Sequence, residues 1–164
     1  MEIIFLVAVD KNLAIGIDGD QPAYISGDLI RFKGLTTGNA IVMGRKTFQS
    51  LPKGALPNRR NIVLTRDENL SFENCEMART VENVYDLAKD EKKLFIIGGG
   101  EIYKLFMDKA DKLLITKILH TFHNVDTWFP EISEDEWEIA SESEVFLDEK
   151  SNYSYMYVEY IRKK

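Results

Sequence analysis

Leu94-Phe95-Ile96-Ile97-Gly98-Gly99-Gly100-Glu101-Ile102-Tyr103 is the stretch from which the fold can be read. Four apolar residues in a row suit a strand covered on both faces. Three glycines then end it, and Ile102, Leu105 and Phe106 follow at helical spacing. A strand running through glycines into a helix places flexible backbone at a strand's carboxyl end, where α/β sheets bind ligands. The free N–H groups of the helix start favour a pyrophosphate there. The motif is weak by itself, because Tyr103 stands where the usual dinucleotide fingerprint has Gly or Ala.

The same strand type recurs at Ile3 to Val9, Ile41-Val42-Met43 and Ile62-Val63-Leu64. Helical spacing lies between these runs, in Leu29, Phe32 and Leu35 and in Val81, Val84, Tyr85 and Ala88. The alternation predicts an α/β protein with a largely parallel sheet. Lys112 to Leu119, Trp137 to Val145 and Tyr153 to Ile161 read as strands with no helix between them, so an antiparallel carboxyl-terminal edge is expected. Pro52, Gly54 and Pro57 mark a central loop. At 164 residues, with no repeat or linker, residues 1–164 are expected to form one domain.

A net charge of -6 argues against nucleic acid as a partner, since phosphate neutralisation needs a basic face. The apolar stretch from Ile3 to Val9 is preceded by an acid and is too short to span a bilayer, so it reads as a strand and no membrane partner is expected. Cys75 is the only cysteine, which excludes an intramolecular disulfide and suits the cytoplasm. His120 and His123 are expected at the surface, and no metal site is expected.

Two further junctions carry anion-binding chemistry. Met43-Gly44-Arg45-Lys46-Thr47 puts a glycine, two cations and a hydroxyl at a strand-to-helix turn, and Thr65-Arg66 follows the next strand. Arg45 and Arg66 could share a phosphate monoester, the group that separates NADP from NAD. Asp28, in Ile25-Ser26-Gly27-Asp28-Leu29-Ile30-Arg31-Phe32, has two readings among what look like core-facing neighbours. It is either a first-turn or capping acid favoured by the helix dipole, or a carboxylate at the floor of an apolar cleft. Periodicity does not choose between them.

In order and in content these segments resemble the dihydrofolate reductase family of bacterial type, across essentially the whole chain. The resemblance is carried by Ala8-Val9-Asp10-Lys11-Asn12 with Ile15-Gly16, Pro22, Asp28-Leu29 with Phe32-Lys33, and Val42-Met43-Gly44-Arg45-Lys46-Thr47-Phe48 with Ser50-Leu51. Leu56-Pro57-Asn58-Arg59, Ile97-Gly98-Gly99-Gly100, Ile102-Tyr103, Thr116 and Asp126-Thr127 with Phe129-Pro130 continue it. It implies a three-layer α/β fold: a central eight-stranded, mostly parallel sheet with an antiparallel carboxyl-terminal edge, and four flanking helices. It also implies a monomer that reduces 7,8-dihydrofolate to tetrahydrofolate with NADPH, for one-carbon metabolism, and that antifolates inhibit.

By the same resemblance Asp28 binds the pterin, supported by Thr116. Leu29, Phe32 and Leu51 wall its rings, Val7 and Ile97 offer carbonyls, and Arg59 pairs with the substrate's α-carboxylate. Arg45, Thr47, Thr65 and Arg66 hold the NADPH phosphates and Gly99 and Gly100 the pyrophosphate. Ala8, Ile15 and Tyr103 meet the nicotinamide, and Gly16, Gly44, Lys46, Gly98, Glu101 and Ile102 complete the cofactor's cradle. The Gly98–Gly99 bond is implied to be cis. The loop from Asp10 to Tyr24 closes over the rings, fastened by Asp126.

The chain departs from the family in the loop Gln21-Pro22-Ala23-Tyr24, where Ala23 replaces the usual tryptophan. Either Tyr24 or Gln21 fills the gap or the cleft is wetter, and reduced sensitivity to trimethoprim is the expectation. Val125 also replaces a common glycine. Two other readings compete: the related pyrimidine reductase of riboflavin biosynthesis, disfavoured by Asp28 and Arg59, and an NADPH-binding module without catalysis.

Overall fold

Alternation of side chains along the strands fixes how the layers form. In the computed structural model, which describes residues 1–164, the first strand, β1 (Glu2–Val9), sends Ile3, Phe5 and Val9 to one face of the sheet and Ile4 and Leu6 to the other. A third strand, β3 (Ala40–Gly44), repeats this with Val42 against Ile41 and Met43. Each face buries its own apolar cluster, so these strands are apolar at every position. Between them lie a short strand, β2 (Ala14–Gly16), and a helix, α1 (Ser26–Thr36).

The remaining strands and α-helices are α2 (Arg45–Gln49), β4 (Arg60–Leu64), β5 (Cys75–Ala78), α3 (Val81–Leu87), β6 (Lys93–Ile96), α4 (Gly100–Phe106), β7 (Lys112–Ile118), β8 (Thr127–Trp128), β9 (Trp137–Glu142), β10 (Phe146–Leu147) and β11 (Ser154–Arg162), with a 3-10 turn at Met107–Lys109 after α4. The main sheet runs β10-β11-β7-β1-β6-β3-β4-β5, with β9 also paired to β11. β9 and β10 occupy successive stretches of the same β11 edge, so the strands fill eight positions. The six strands from β7 to β5 are mutually parallel, and the β11 pairings are antiparallel. This is the expected α/β architecture, with four helices.

The structure corrects two details. The strand expected from Trp137 to Val145 stops at Glu142, because Ser143 turns its side chain to the ladder and accepts from Tyr157 N–H through its hydroxyl. Leu29 does not enter the core and Phe32 only packs against its edge: Thr36 is the only buried residue of α1, and Leu29 is 47% exposed. The apolar face of this helix borders a cleft. His120 and His123 lie at the surface, as expected, and Cys75 is half-buried. No group of three or more acids, histidines and cysteines is placed to hold a metal, and no helix is long and apolar enough to cross a membrane.

β1 has β6 on one side and β7 on the other, though the chain first visits β3, β4 and β5. Order reverses around β1, and in such sheets the crevice beyond the carboxyl ends at the reversal is where ligands sit.

Candidate active site

A cleft of about 1590 Å³ opens along that line, bordered by the carboxyl ends of β1, β3, β4, β6 and β7. At its floor the first turn of α1 lies across β7. The Asp28 carboxylate accepts the Thr116 hydroxyl hydrogen at 2.5 Å, although 88 residues separate the two in sequence. Both readings of Asp28 therefore meet in one residue: it is a first-turn acid, but its partner belongs to the sheet rather than to its own helix. Burial raises its pKa above the ordinary carboxylate value, against the lowering effects of the Thr116 hydrogen bond and the Arg31 charge.

Tyr103 is buried beside this floor and donates its hydroxyl to the Leu6 carbonyl at 2.7 Å. Its own pKa is pushed up by burial and then by the Asp28 charge. Val7, Ala8 and Ile97 border the same floor. Leu29, Phe32 and Leu51 form the apolar wall, joined by Leu35 and Leu56. At the mouth, Arg59 follows Asn58, whose φ of 63° lies in the left-handed region that Asn tolerates. That turn aims Arg59 into the cleft, where it donates to the Pro57 carbonyl at 2.9 Å and to Thr36 Oγ1 at 3.2 Å. Burial lowers its pKa. The adjacent Arg60 is committed elsewhere, to Glu76 at 2.6 Å, Glu91 at 3.1 Å and the Leu87 carbonyl at 2.8 Å.

The opposite end is cationic and rich in hydroxyls. Arg45, Lys46 and Thr47 border it from the start of α2, and Thr65 and Arg66 border it beyond β4. The glycine turn lies between. The Gly98–Gly99 peptide is cis, and the Gly98 carbonyl accepts the Gly44 N–H at 2.8 Å, which ties two strand ends together. A Cβ on Gly100 would lie 2.8 Å from Thr127 Cγ2, so only glycine lets this backbone approach. Gly16, Gly44, Glu101, Ile102 and Ile15 also border the cleft.

Sequence reasoning missed a fourth junction, Arg79-Thr80-Val81 between β5 and α3, which borders the same end. One Arg79 nitrogen donates to the Glu68 and Leu70 carbonyls, at 3.1 and 3.3 Å. The other, Nη1, is buried without a partner. Arg31 and Trp128 were missed too. The i+3 spacing of Arg31 from Asp28 was the available signal for the first; Trp128 gave none.

The loop between β1 and α1 is tied by acids. Asp10, buried, accepts N–H groups of Asn12, Ala14 and Phe122 at 2.7, 2.9 and 3.0 Å. Ile17 and Asp20 face one another across Asp18 and Gly19, with φ of 49° and 83°. Positive φ at both central residues is the two-residue hairpin turn that Asp-Gly favours. Asp126 accepts the Asp18 N–H at 2.8 Å, and Asp148 accepts the Ser26 N–H at 3.2 Å. Tyr24 donates its hydroxyl to Asp20, and its pKa is pushed up to about 12, chiefly by burial. Gln21, Tyr24 and Asp126 border the cleft, but Pro22 and Ala23 do not. Every other site residue expected from the sequence does.

Such a cleft, with a half-buried acid at one end and cations on strand ends at the other, is the kind of site in which α/β enzymes take nucleotide cofactors. The family model for dihydrofolate reductase matches residues 2–162. Curated relatives of that name include those of Staphylococcus haemolyticus, 43% identical over 99% of this chain and 96% of the relative, and Bacillus subtilis (strain 168), 39% identical over 98% and 95%. A Staphylococcus aureus relative is 40% identical over the full length of both. Among solved structures, dihydrofolate reductase from Enterococcus faecalis complexed with NADP(H) and RAB-propyl is similar, with a TM-score of 0.92, 34% identity, and coverage of 99% of this chain and 97% of that one. The chain belongs to the dihydrofolate reductase family.

Proposed function

We propose that this chain converts 7,8-dihydrofolate, NADPH and a proton to 5,6,7,8-tetrahydrofolate and NADP⁺, as a monomeric cytoplasmic enzyme supplying one-carbon metabolism. The observation that carries the reading is the Asp28 carboxylate, bonded to Thr116 on the floor of a cleft whose far rim is cationic. Asp28 accepts hydrogen bonds from the pterin's amino group and neighbouring ring nitrogen and offsets the positive charge that develops as C6 takes a hydride and N5 a proton. Thr116 fixes the carboxylate's orientation. Leu29, Phe32 and Leu51 hold the rings, with the Val7 and Ile97 carbonyls at their edge. Arg59, held by Thr36 and the Pro57 carbonyl, takes the α-carboxylate with its planar fork.

The chemistry of the far rim fits NADPH: Arg45, Lys46, Thr47, Thr65 and Arg66 offer cations and hydroxyls to phosphates, and Arg79 has a buried nitrogen without a partner. Gly98, Gly99 and Gly100 bring backbone to the pyrophosphate. Ala8, Ile15, Gly16, Gly44, Glu101, Ile102 and Tyr103 line the remaining cradle. When bound, NADPH supplies the hydride. Asp126 holds the loop that excludes water. With Ala23 turned out of the cleft and Gln21 and Tyr24 at its border, weaker trimethoprim binding than in relatives with a loop tryptophan is part of the proposal.

The test is spectrophotometric. Reduced-nicotinamide absorbance falls on adding dihydrofolate to the wild type, whereas Asp28→Asn binds NADPH but turns over at least a hundredfold more slowly. Cofactor binding without oxidation in the wild type establishes the non-catalytic module instead. Wild-type-like turnover in Asp28→Asn removes the role assigned to Asp28.

A further inference from the structure

Arg31 takes part in none of the salt bridges of the molecule, yet it is held in place. Its guanidinium carbon lies 4.0 Å from the centroid of the Tyr157 ring, a cation laid on an aromatic face. Tyr157 is the register partner of Thr116 in the antiparallel pairing of β11 with β7. Directly opposed residues on one face of such a pair have Cβ atoms roughly 5 Å apart. Asp28 and Arg31, three apart on α1, are neighbours on that helix as well. One closed arrangement results: Asp28 stands on Thr116, Arg31 stands on Tyr157, and the two sheet residues are side by side as the two helix residues are.

We propose that Arg31 is a positioning residue for the reaction, a counter-charge to Asp28 fastened by the Tyr157 ring, which sets the pH range over which that carboxylate binds a cationic pterin or diaminopyrimidine. The proposal rests on the assignment of Asp28 as the substrate anchor. The groups facing Asp28 are few. Arg31 is the one cation, from α1; Thr116, from β7, does not titrate; Tyr103, from α4, and Tyr157, from β11, are phenols whose pKa values are raised by burial first and by the Asp28 charge second. Tyr157 is pushed up to about 12, so it is neutral wherever Asp28 titrates. Tyr155, also on β11, meets α1 at Gly27, with its hydroxyl where a Cβ on Gly27 would stand. A guanidinium keeps its charge throughout, which leaves Arg31 as the cation that, after the Thr116 hydrogen bond, offsets the burial of Asp28.

The experiment compares the wild type, Arg31→Met and Arg31→Lys by NMR titration of the Asp28 carboxyl carbon, identified by its absence in Asp28→Asn. Kinetic pH profiles run in parallel. Arg31→Met keeps the stem but loses the charge, so the Asp28 midpoint moves to higher pH by roughly threefold or more in proton affinity. The apparent pKa of kcat/KM for dihydrofolate moves the same way, and the KM for NADPH does not change. Arg31→Lys restores most of the shift. An Asp28 midpoint common to all three proteins overturns the proposal, even if Arg31→Met is slower, because slowing without a titration shift is what a merely structural residue gives. If Arg31→Met does not fold, Arg31→Gln carries the same comparison. Failure of the substrate-anchor assignment reads differently: the midpoint still moves, but Asp28→Asn retains turnover.

Discussion

Replacing Asp28 with asparagine separates what the carboxylate does for the reaction from what it costs the fold. The Thr116 hydroxyl donates to Asp28 at 2.5 Å, and an asparagine carbonyl oxygen in the same place still accepts it. The bond from Thr116 is kept; the charge goes, and an NH2 donor facing the cleft replaces the second carboxylate oxygen. Because burial raises the Asp28 pKa, the folded protein holds a proton there more tightly than the unfolded chain does. The sign follows. Whatever stability comes with the protonated form is complete below the unfolded carboxylate pKa and is lost as pH rises through the folded pKa, whereas asparagine has no such loss. Asp28→Asn is therefore expected to match the wild type in acid and to exceed it at neutral pH by about 0.5–2 kcal/mol, the size common where a site is held at the expense of stability. For a domain of this length that is a rise in Tm of roughly 1–8 °C. In the role proposed for Asp28 the same change removes two charge-assisted hydrogen bonds to the pterin, each about 1.5–3 kcal/mol, so kcat/KM for dihydrofolate is expected to fall at least a hundredfold. Urea denaturation at several pH values and steady-state kinetics on one preparation test both halves. A variant less stable than the wild type at neutral pH refutes the reasoning, because it means that the charge is stabilised by the site rather than tolerated in it.

Other substitutions probe the rest of the cleft. Arg59→Lys keeps the charge but loses the fork held by Thr36 and Pro57, and raises the KM for dihydrofolate about tenfold or more with little change for a substrate lacking the glutamate. Ala23→Trp tightens trimethoprim inhibition if the missing ring is what weakens it, and unchanged inhibition constants remove that explanation. Arg60→Met leaves Glu76, Glu91 and the Leu87 carbonyl without their donor and lowers stability by about 1–2 kcal/mol, discounted for partial exposure, with no effect on the KM for either substrate.

What could be read from the sequence divides along physical lines. β1, β3, β4 and β6 are buried on both faces, so they are continuous apolar runs and stand out. β5 is an edge strand of sequence Cys75-Glu76-Met77-Ala78 with one fully buried residue, and it carries no such run. Missing it meant missing Arg79 and Thr80 at its end. Leu29 and Phe32 have helical spacing whether they face a core or a cleft, because periodicity reports an apolar side and not what covers it. The Asp28–Thr116 bond spans 88 residues and the Asp148–Ser26 bond spans 122, so no local pattern records either one. The resemblance supplied Thr116, but nothing in the sequence supplied Asp148.

The ties of the loop and the charge of Asp28 respond to acid in opposite directions. Asp126 has its pKa lowered, first by the Asp18 N–H and then by the Thr127 hydroxyl; Asp148 has its pKa lowered, first by the Ser151 hydroxyl, and it also holds the Ser26 N–H. Groups of this kind contribute stability above the unfolded carboxylate pKa and lose it as pH falls through the folded one. Acid therefore loosens the segment between Asp18 and Ser26, whose two ends hang on these carboxylates, under the same conditions that favour protonated Asp28. Hydrogen exchange, corrected for the intrinsic dependence on pH, reads this directly. Protection of the Asp18 and Ser26 amides declines as pH falls through the carboxylate range, and Asp126→Asn removes the pH dependence at Asp18 while sparing it at Ser26. If both amides lose protection together in Asp126→Asn, the loop opens as one unit hinged on a single tie, and the two acids are not independent anchors.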